Sequence, residues 1–244
     1  MKLSANNEDN AGTLKIKRLE RQVEKASTLL AEVLQTAFQP SAQPKTKDAE
    51  KAFISRHAWN IHARAQDIIL LSRARHSGSL PILNRVSLES LFYMAAAAKS
   101  PEYAFQKILH EIDEYGKRYK HLGKDNDWID QAVQHELGVF EKHVRETAYH
   151  TFNREIASRN CCALDAAQEA GMENIYRMHY WGNSNHVHAN GFGLPTEEGR
   201  PPDEIADDLS LCIFVLIKTS GVINERFCQG GDFKRRIDEI NHGI

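Results

Sequence analysis

Apolar and polar residues follow the pattern of an amphipathic helix along the first part of the chain. Between Leu14 and Phe38 the apolar residues recur in alternating steps of three and four positions, at Ile16, Leu19, Val23, Ala26, Leu30, Val33 and Ala37. This spacing is a heptad seam, and lysine and glutamate fill much of the remaining face. Two interpretations fit equally: a coiled coil that joins two copies of the chain in a homodimer, or a helix that packs against its own domain.

The residues on either side of this helix define the predicted domain boundary. Residues 1–12 are polar and are expected to form a tail without regular structure. Residues 39–45 contain two prolines, which cannot continue a helix, so this stretch is predicted to be a linker. We therefore predict a tail, an amphipathic helix and a linker over residues 1–47, followed by one helical-bundle domain over residues 48–244.

Helical periodicity continues through the rest of the chain. Further helices are predicted over about residues 48–76, 82–98, 101–121, 128–159, 161–170, 173–180 and 203–228. The third helix is apolar nearly all round, so we expect it to be buried. No stretch alternates with period two for long enough to predict a strand. The predicted fold class is all-α, a bundle of seven or eight helices with an N-terminal amphipathic helix.

Composition narrows the expected location and partners. The 244 residues carry a formal net charge of −2, so the whole molecule has no basic excess that attracts nucleic acid, although a local basic surface is compatible with this charge. Residues 209–217 form the longest apolar segment and are too few to span a bilayer, and the N-terminus lacks the apolar run of a signal peptide. The four cysteines form no Cys-x-x-Cys pair, which favours reduced thiols. We expect a cytoplasmic protein with no membrane partner.

Two charged residues interrupt the apolar third helix. Arg85 and Glu89 are four positions apart and therefore lie on one face of the helix. Because that helix is otherwise apolar, both charges are expected to point into a region of low dielectric constant, where an ion pair often persists for a reason other than stability. An ordinary ion pair on a solvated stripe fits the same pattern.

Residues 180–188 are the segment richest in groups that move protons or hold an anion. Tyr180, Ser184 and His188 are spaced four apart and share one stripe if the segment is helical, and His186 lies off that stripe. A histidine with neighbouring hydroxyl groups is what general acid–base catalysis requires near neutral pH. A histidine with a structural hydrogen bond fits the same sequence.

These two groups of residues occur in the same order and helical setting in a known family. The motif residues are Arg85, Glu89, Tyr180, Ser184, Val187 and His188. In this respect the chain resembles the all-helical bacterial family called domain of unknown function 5677. The resemblance covers about residues 50–230 and departs at Asn183, where an apolar residue is expected before the serine. It implies an all-helical fold and one conserved site, and it implies no particular reaction.

Two arginine–histidine pairs resemble the signature of another family. Arg145 and His150 are separated by four residues, and Arg56 and His62 by five. Both pairs are similar to the Arg-x4-6-His signature of HEPN ribonucleases, a resemblance that implies a dimeric, metal-independent enzyme acting on RNA. In that chemistry histidine handles the proton of the ribose 2′-hydroxyl while arginine stabilises the phosphorane charge. The chain has 12 histidines, so such matches also arise by chance on ordinary helix surfaces.

Histidines and carboxylates also offer ligands for a metal ion. The candidates are His179, His186 and His188 together with Glu89 or Glu173. The His-Glu-x-x-His spacing of helical zinc sites is absent from the sequence. We therefore predict no metal site and no cofactor.

The sequence thus predicts one polar site. Its catalytic candidates are His188, Arg85, Glu89, Ser184 and Tyr180. The secondary candidates are Arg145, His150 and His186. The leading hypothesis is cleavage of a phosphodiester, with RNA as substrate, by a metal-independent ribonuclease of toxin or defence type. The alternative is a non-enzymatic helical binding or regulatory protein, in which the same residues lock helix packing or hold a small anion.

Overall fold

The computed structural model describes residues 2–38, 48–74, 76–122, 127–180, 200–228 and 231–242 of the chain. Within these ranges it contains nine α-helices and no β-strand, which confirms the predicted all-α class. The helices are α1 (Lys2–Ala37), α2 (Asp48–Arg73), α3 (Leu80–Lys99), α4 (Pro101–Leu122), α5 (Asp127–Phe152), α6 (Ala163–Ala170), α7 (Glu173–Ile175), α8 (Pro202–Ile223) and α9 (Gly231–His242). The count exceeds seven or eight because α9 follows the last predicted helix.

The first helix, α1, runs parallel to α8. A Cβ atom added to Gly12 would lie 3.1 Å from Pro202 at the start of α8. At the other end, the Cys228 thiol lies 3.8 Å from the carbonyl oxygen of Val33. The heptad positions buried within the chain are Leu19, Val23, Ala26, Leu30, Val33 and Ala37. The seam therefore packs on the protein's own helices, as the second interpretation predicted, and a homodimer through α1 stays a prediction.

The N-terminal segment differs from its prediction. Helix α1 begins at Lys2, so the polar residues up to Gly12 extend the helix instead of forming an irregular tail. Extending an existing helix costs far less than nucleating one, which explains how a polar stretch can join it. The main core also contains residues of α1 beside residues of α2, α3 and α8. Helix α1 therefore belongs to the same packed unit as the bundle that follows residue 47.

Helices α2 and α3 pack antiparallel, with α3 in the centre of the bundle. The Asn60 side-chain amide donates to the Ser90 hydroxyl at 2.8 Å across the pair. Helix α3 also contacts α4, α6 and α8, which explains its apolar sequence. The predicted burial of this helix is confirmed, because most of its residues are inaccessible to solvent.

Helices α4 and α5 pack on each other at the side of the bundle and build a second, smaller core. Its buried residues are Phe105, Leu109, Ile112, Val144, Ala148 and Ile156. Helix α5 ends at Phe152, earlier than the predicted end near residue 159. The cause is Asn153, which takes a left-handed conformation with φ of 54°. Asparagine tolerates this conformation better than other non-glycine residues, so it can end a helix.

The segment after α6 brings the candidate site to α3. Helix α6 ends at Gly171, whose φ of 73° is left-handed, as its predicted role as a helix stop requires. Helix α7 then leads into one π-helical turn over Tyr176–Tyr180, and a second π turn, Asn224–Cys228, follows α8. None of the helices in the described ranges is long and apolar enough to cross a membrane.

Candidate functional site

Arg85 and Glu89 form an ion pair on the edge of α3. Arg85 Nη1 lies 3.6 Å from Glu89 Oε2, and the two side chains are 21% and 33% exposed. They are therefore neither fully buried, as the apolar sequence of the helix predicted, nor on a freely solvated stripe. A partly exposed pair of this kind keeps much of its charge interaction and remains accessible to a ligand.

Tyr180 completes this pair from a position 95 residues downstream. Arg85 Nη2 donates to the Tyr180 hydroxyl at 2.8 Å. The same hydroxyl donates to Glu89 Oε2 at 3.3 Å. The guanidinium also stacks on the phenol ring, with Arg85 Cζ 4.8 Å from the ring centroid. One tyrosine thus receives a hydrogen bond from the arginine and passes one to the glutamate.

The π turn explains how Tyr180 reaches α3. Hydrogen bonds from residue i to i+5 widen this turn, so side chains four apart lie almost above each other. The Tyr176 and Tyr180 rings accordingly stack, with centroids 4.8 Å apart and planes at 23°. Phe92 of α3 packs against both rings at 6.1 Å. These aromatic contacts fix the Tyr180 hydroxyl between Arg85 and Glu89.

Two residues that the sequence did not single out extend the network inwards. The Tyr93 hydroxyl donates to Glu89 Oε1 at 3.3 Å and lies 3.5 Å from the carbonyl oxygen of Cys161. Lys107 donates to that carbonyl at 3.1 Å, and its ammonium lies 4.5 Å from the centre of the Tyr93 ring. Both oxygens of Glu89 therefore accept a hydrogen bond from a tyrosine.

The surroundings keep these tyrosines protonated. Burial, reinforced by the charge of Glu89, raises the pKa of Tyr180 to about 12, although Arg85 acts in the opposite direction. The same two causes raise the pKa of Tyr93. Both phenols are therefore hydrogen-bond donors at any physiological pH, and Glu89 is their acceptor.

The other two catalytic candidates, Ser184 and His188, and the secondary candidate His186 lie outside the described residues. The structure thus brings together three of the five catalytic candidates, Arg85, Glu89 and Tyr180. Ser184 and His188 follow Tyr180 by four and eight positions in the sequence.

The secondary pair Arg145 and His150 lies on a different part of the protein. Both residues are exposed on α5, which packs mainly on α4. Arg145 is held by Glu141, one turn earlier, at 2.7 Å. Five positions correspond to about 140° around a helix, so the two side chains leave α5 in different directions.

The side chains of the second pair, Arg56 and His62, also leave their helix in different directions. Arg56 forms an ion pair with Glu111 of α4 at 3.5 Å, whereas His62 Nδ1 lies 3.0 Å from the Ser27 hydroxyl of α1. Burial lowers the pKa of His62, which keeps it neutral. Arg56 and His62 therefore serve contacts on opposite sides of α2.

The candidate metal ligands lie partly within the described residues. Among the described residues, no group of three or more histidine, cysteine, aspartate or glutamate side chains is placed to hold a metal ion. Glu173 is paired with Arg177 at 2.6 Å. His186 and His188 lie outside the described ranges.

Comparison with known proteins gives one finding for the chain. No curated protein and no solved structure matches it. The family of unknown function DUF5677 matches residues 51–197, which is more than half of the chain. The matched span contains Arg85, Glu89, Tyr180, Ser184 and His188, the residues on which the resemblance in the sequence depends. The chain therefore belongs to the DUF5677 family of unknown function.

Proposed function

We propose that the Arg85–Glu89–Tyr180 network, with Ser184 and His188, cleaves a phosphodiester bond in RNA. The observation that carries this proposal is the 2.8 Å hydrogen bond from Arg85 to Tyr180. It anchors the start of the segment that bears the serine and histidines beside an oriented, partly exposed cation. A preoriented cation beside an acid–base group is the combination that phosphodiester cleavage without covalent catalysis needs.

Four of these residues have distinct roles in this proposal. His188 takes the proton of the ribose 2′-hydroxyl, and the resulting oxygen attacks phosphorus while the bond to the 5′-oxygen breaks. Arg85 stabilises the charge that develops on the phosphorane oxygens. Tyr180 is protonated, so its hydroxyl can turn from Glu89 and give its proton to the departing 5′-oxygen, while Glu89 holds Arg85 in place.

One observation favours the alternative of a non-enzymatic binding or regulatory protein. Both Glu89 oxygens accept bonds from tyrosines, and Arg85 balances the carboxylate charge. A carboxylate held in this way locks α3 to the π turn, and Tyr93 of α3 links the carboxylate to the Cys161 carbonyl just before α6. In this alternative the network fixes helix packing or holds a small anion, and the serine and histidines do no chemistry.

Cleavage of labelled RNA by the full chain, with and without a chelator, tests the proposal. Arg85→Ala and His188→Ala should each lower the cleavage rate by about 10²–10³-fold while the protein stays folded. Arg177→Ala is the matched control, because it removes an exposed arginine seven residues or more from the motif histidines.

Two results would contradict this assignment. An RNA-inactive wild type, with a lower melting temperature in both variants, would favour the binding or regulatory protein. Cleavage that survives His188→Ala and is lost in His150→Ala would instead favour the HEPN-like pair of Arg145 and His150.

A further inference from the structure

A long apolar trough lies between α2, α4 and α5, on a different set of residues from the candidate site. Its volume is about 1090 Å³, which is the size of a site for a sizeable small molecule. Its apolar lining includes Phe53, Ile108, Ile112, Leu137, Phe140 and Val144. Several of these belong to, or pack on, the second core, so the trough is an opening in that core.

The floor and the walls of the trough differ in exposure. Phe53, Ile112 and Val144 form a buried floor, whereas Tyr115 and Phe140 stand at the walls with 45% and 50% of their surface exposed. Exposed aromatic residues around a buried apolar floor are typical of a surface that binds an apolar partner. The lining runs from Ala132 to Thr147 along α5, so the trough favours an elongated apolar group.

The trough adjoins a basic pocket. The two cavities share Arg56, Glu111 and Tyr115, and the basic pocket adds Lys107 and Arg118 among its lining residues. Its volume is about 440 Å³. Three permanent cations face two carboxylates there, and one of these, Glu114, is paired with Lys117. The pocket is thus suited to an anionic group.

We propose that this trough binds a single-chain amphiphile with a carboxylate head, the chemistry of a long-chain fatty acid. The alkyl chain lies on the apolar floor, and the carboxylate enters the basic pocket. Arg56 is the residue that receives it, because its side chain is 68% exposed and its present partner, Glu111, is 3.5 Å away. The ligand carboxylate replaces Glu111 in a shorter, charge-assisted pairing.

Calorimetric titration of the full chain with octanoate, decanoate and laurate tests whether the alkyl chain binds in the trough. Each added methylene that enters the trough should tighten binding by about two- to fourfold, because a buried methylene contributes up to about 0.8 kcal/mol. Dodecanol has the same chain as laurate and lacks the charge, so it should bind about tenfold more weakly. Equal affinities along the series would overturn the proposal.

Variants test the binding of the carboxylate and of the alkyl chain separately. Arg56→Gln should weaken laurate about tenfold and leave dodecanol unchanged, whereas Glu111→Gln should tighten laurate because it frees Arg56. Ala132→Glu places a charge in the trough from an exposed helical position and should abolish binding of both ligands. Gln131→Glu and Lys142→Gln are the matched controls, since they make the same charge changes on α5 outside the trough.

Three outcomes would overturn this proposal without touching the proposed cleavage site. Laurate binding that survives Ala132→Glu would place the ligand elsewhere. Binding to anionic phospholipid vesicles that is lost in the same variants, without binding of monomeric laurate, would mean a membrane-facing surface. A concentration-dependent dimer that Ala132→Glu dissociates would mean that a second copy covers the trough. RNA cleavage should be the same in all these variants, so the two proposals can fail separately.

Discussion

His57 should make the stability of the protein sensitive to acid. Its ring lies 4.5 Å from the Phe53 ring and 5.6 Å from the Tyr93 ring, and its buried Nε2 has no hydrogen-bond partner among the described atoms. Burial, followed by the charges of Arg56 and Lys107, lowers the pKa of His57 to about 4. A histidine in an unfolded chain titrates near 6.5. Between these two values the unfolded state binds a proton that the folded state does not.

The sign and size of the effect follow from proton linkage. Above about pH 6.5 the His57 ring is neutral in both the folded and the unfolded state, so its contribution to the free energy of unfolding does not change with pH. As the pH falls from 6.5 to 4, the free energy of unfolding drops by up to about 1.4 kcal/mol per pH unit, or about 3 kcal/mol in total. Below pH 4 both states are protonated and the loss is complete.

Urea denaturation of wild type and His57→Phe at several pH values checks this prediction. Phenylalanine keeps an aromatic ring between Phe53 and Tyr93 and carries no titratable group, so the variant should lose less stability than wild type as the pH falls. His135→Gln changes an exposed histidine and should keep the wild-type pH dependence. Parallel curves for wild type and His57→Phe would contradict this prediction.

Four substitutions test the packing by denaturation at neutral pH. Leu30→Ala should cost about 2–5 kcal/mol, because it leaves a cavity in the main core. No atom lies within 4 Å of a Cβ added at Gly171 or Gly138. Gly171→Ala should therefore cost about 1–2 kcal/mol from its left-handed backbone alone, whereas Gly138→Ala within α5 should stabilise the protein by up to about 1 kcal/mol. Stability changes of the same sign in both variants would contradict this. Arg200→Ala should cost about 3 kcal/mol, because it removes the cation beside the buried Asp208 carboxylate.

The helices of the core could be predicted because the spacing of their apolar residues indicates which faces are buried. The apolar content of α3 predicted its burial, and Gly171 predicted the end of α6. The partner of α1 could not be predicted, since a heptad seam is the same whether it meets a second copy or α8. Helix α9 did carry a signal, with Phe233, Ile237 and Ile240 spaced by four and three positions, and its charged composition obscured it.

Only the part of the candidate site that lies on one helix could be predicted in this way. Arg85 and Glu89 could be paired because they share a helix, and Tyr93 lies one further turn along the same face. Lys107 and the Cys161 carbonyl come from other elements, so only tertiary packing brings them to Tyr93. Tyr176 and Tyr180 are four positions apart in a predicted helix, so periodicity places both on one face, but it does not predict the π turn that they form.

His57 also offers a direct test of where the ligand carboxylate lies in the trough. Arg56 and Lys107 line the basic pocket, and their charges help to lower the pKa of His57. An anion bound between them offsets those charges, so laurate should raise the pKa of His57 from about 4 towards 6.5. An NMR titration of the His57 ring proton measures this shift, with dodecanol as the uncharged control. Arg56→Gln should raise the pKa without any ligand and reduce the further effect of laurate. An unchanged pKa at saturating laurate would place the carboxylate outside the basic pocket.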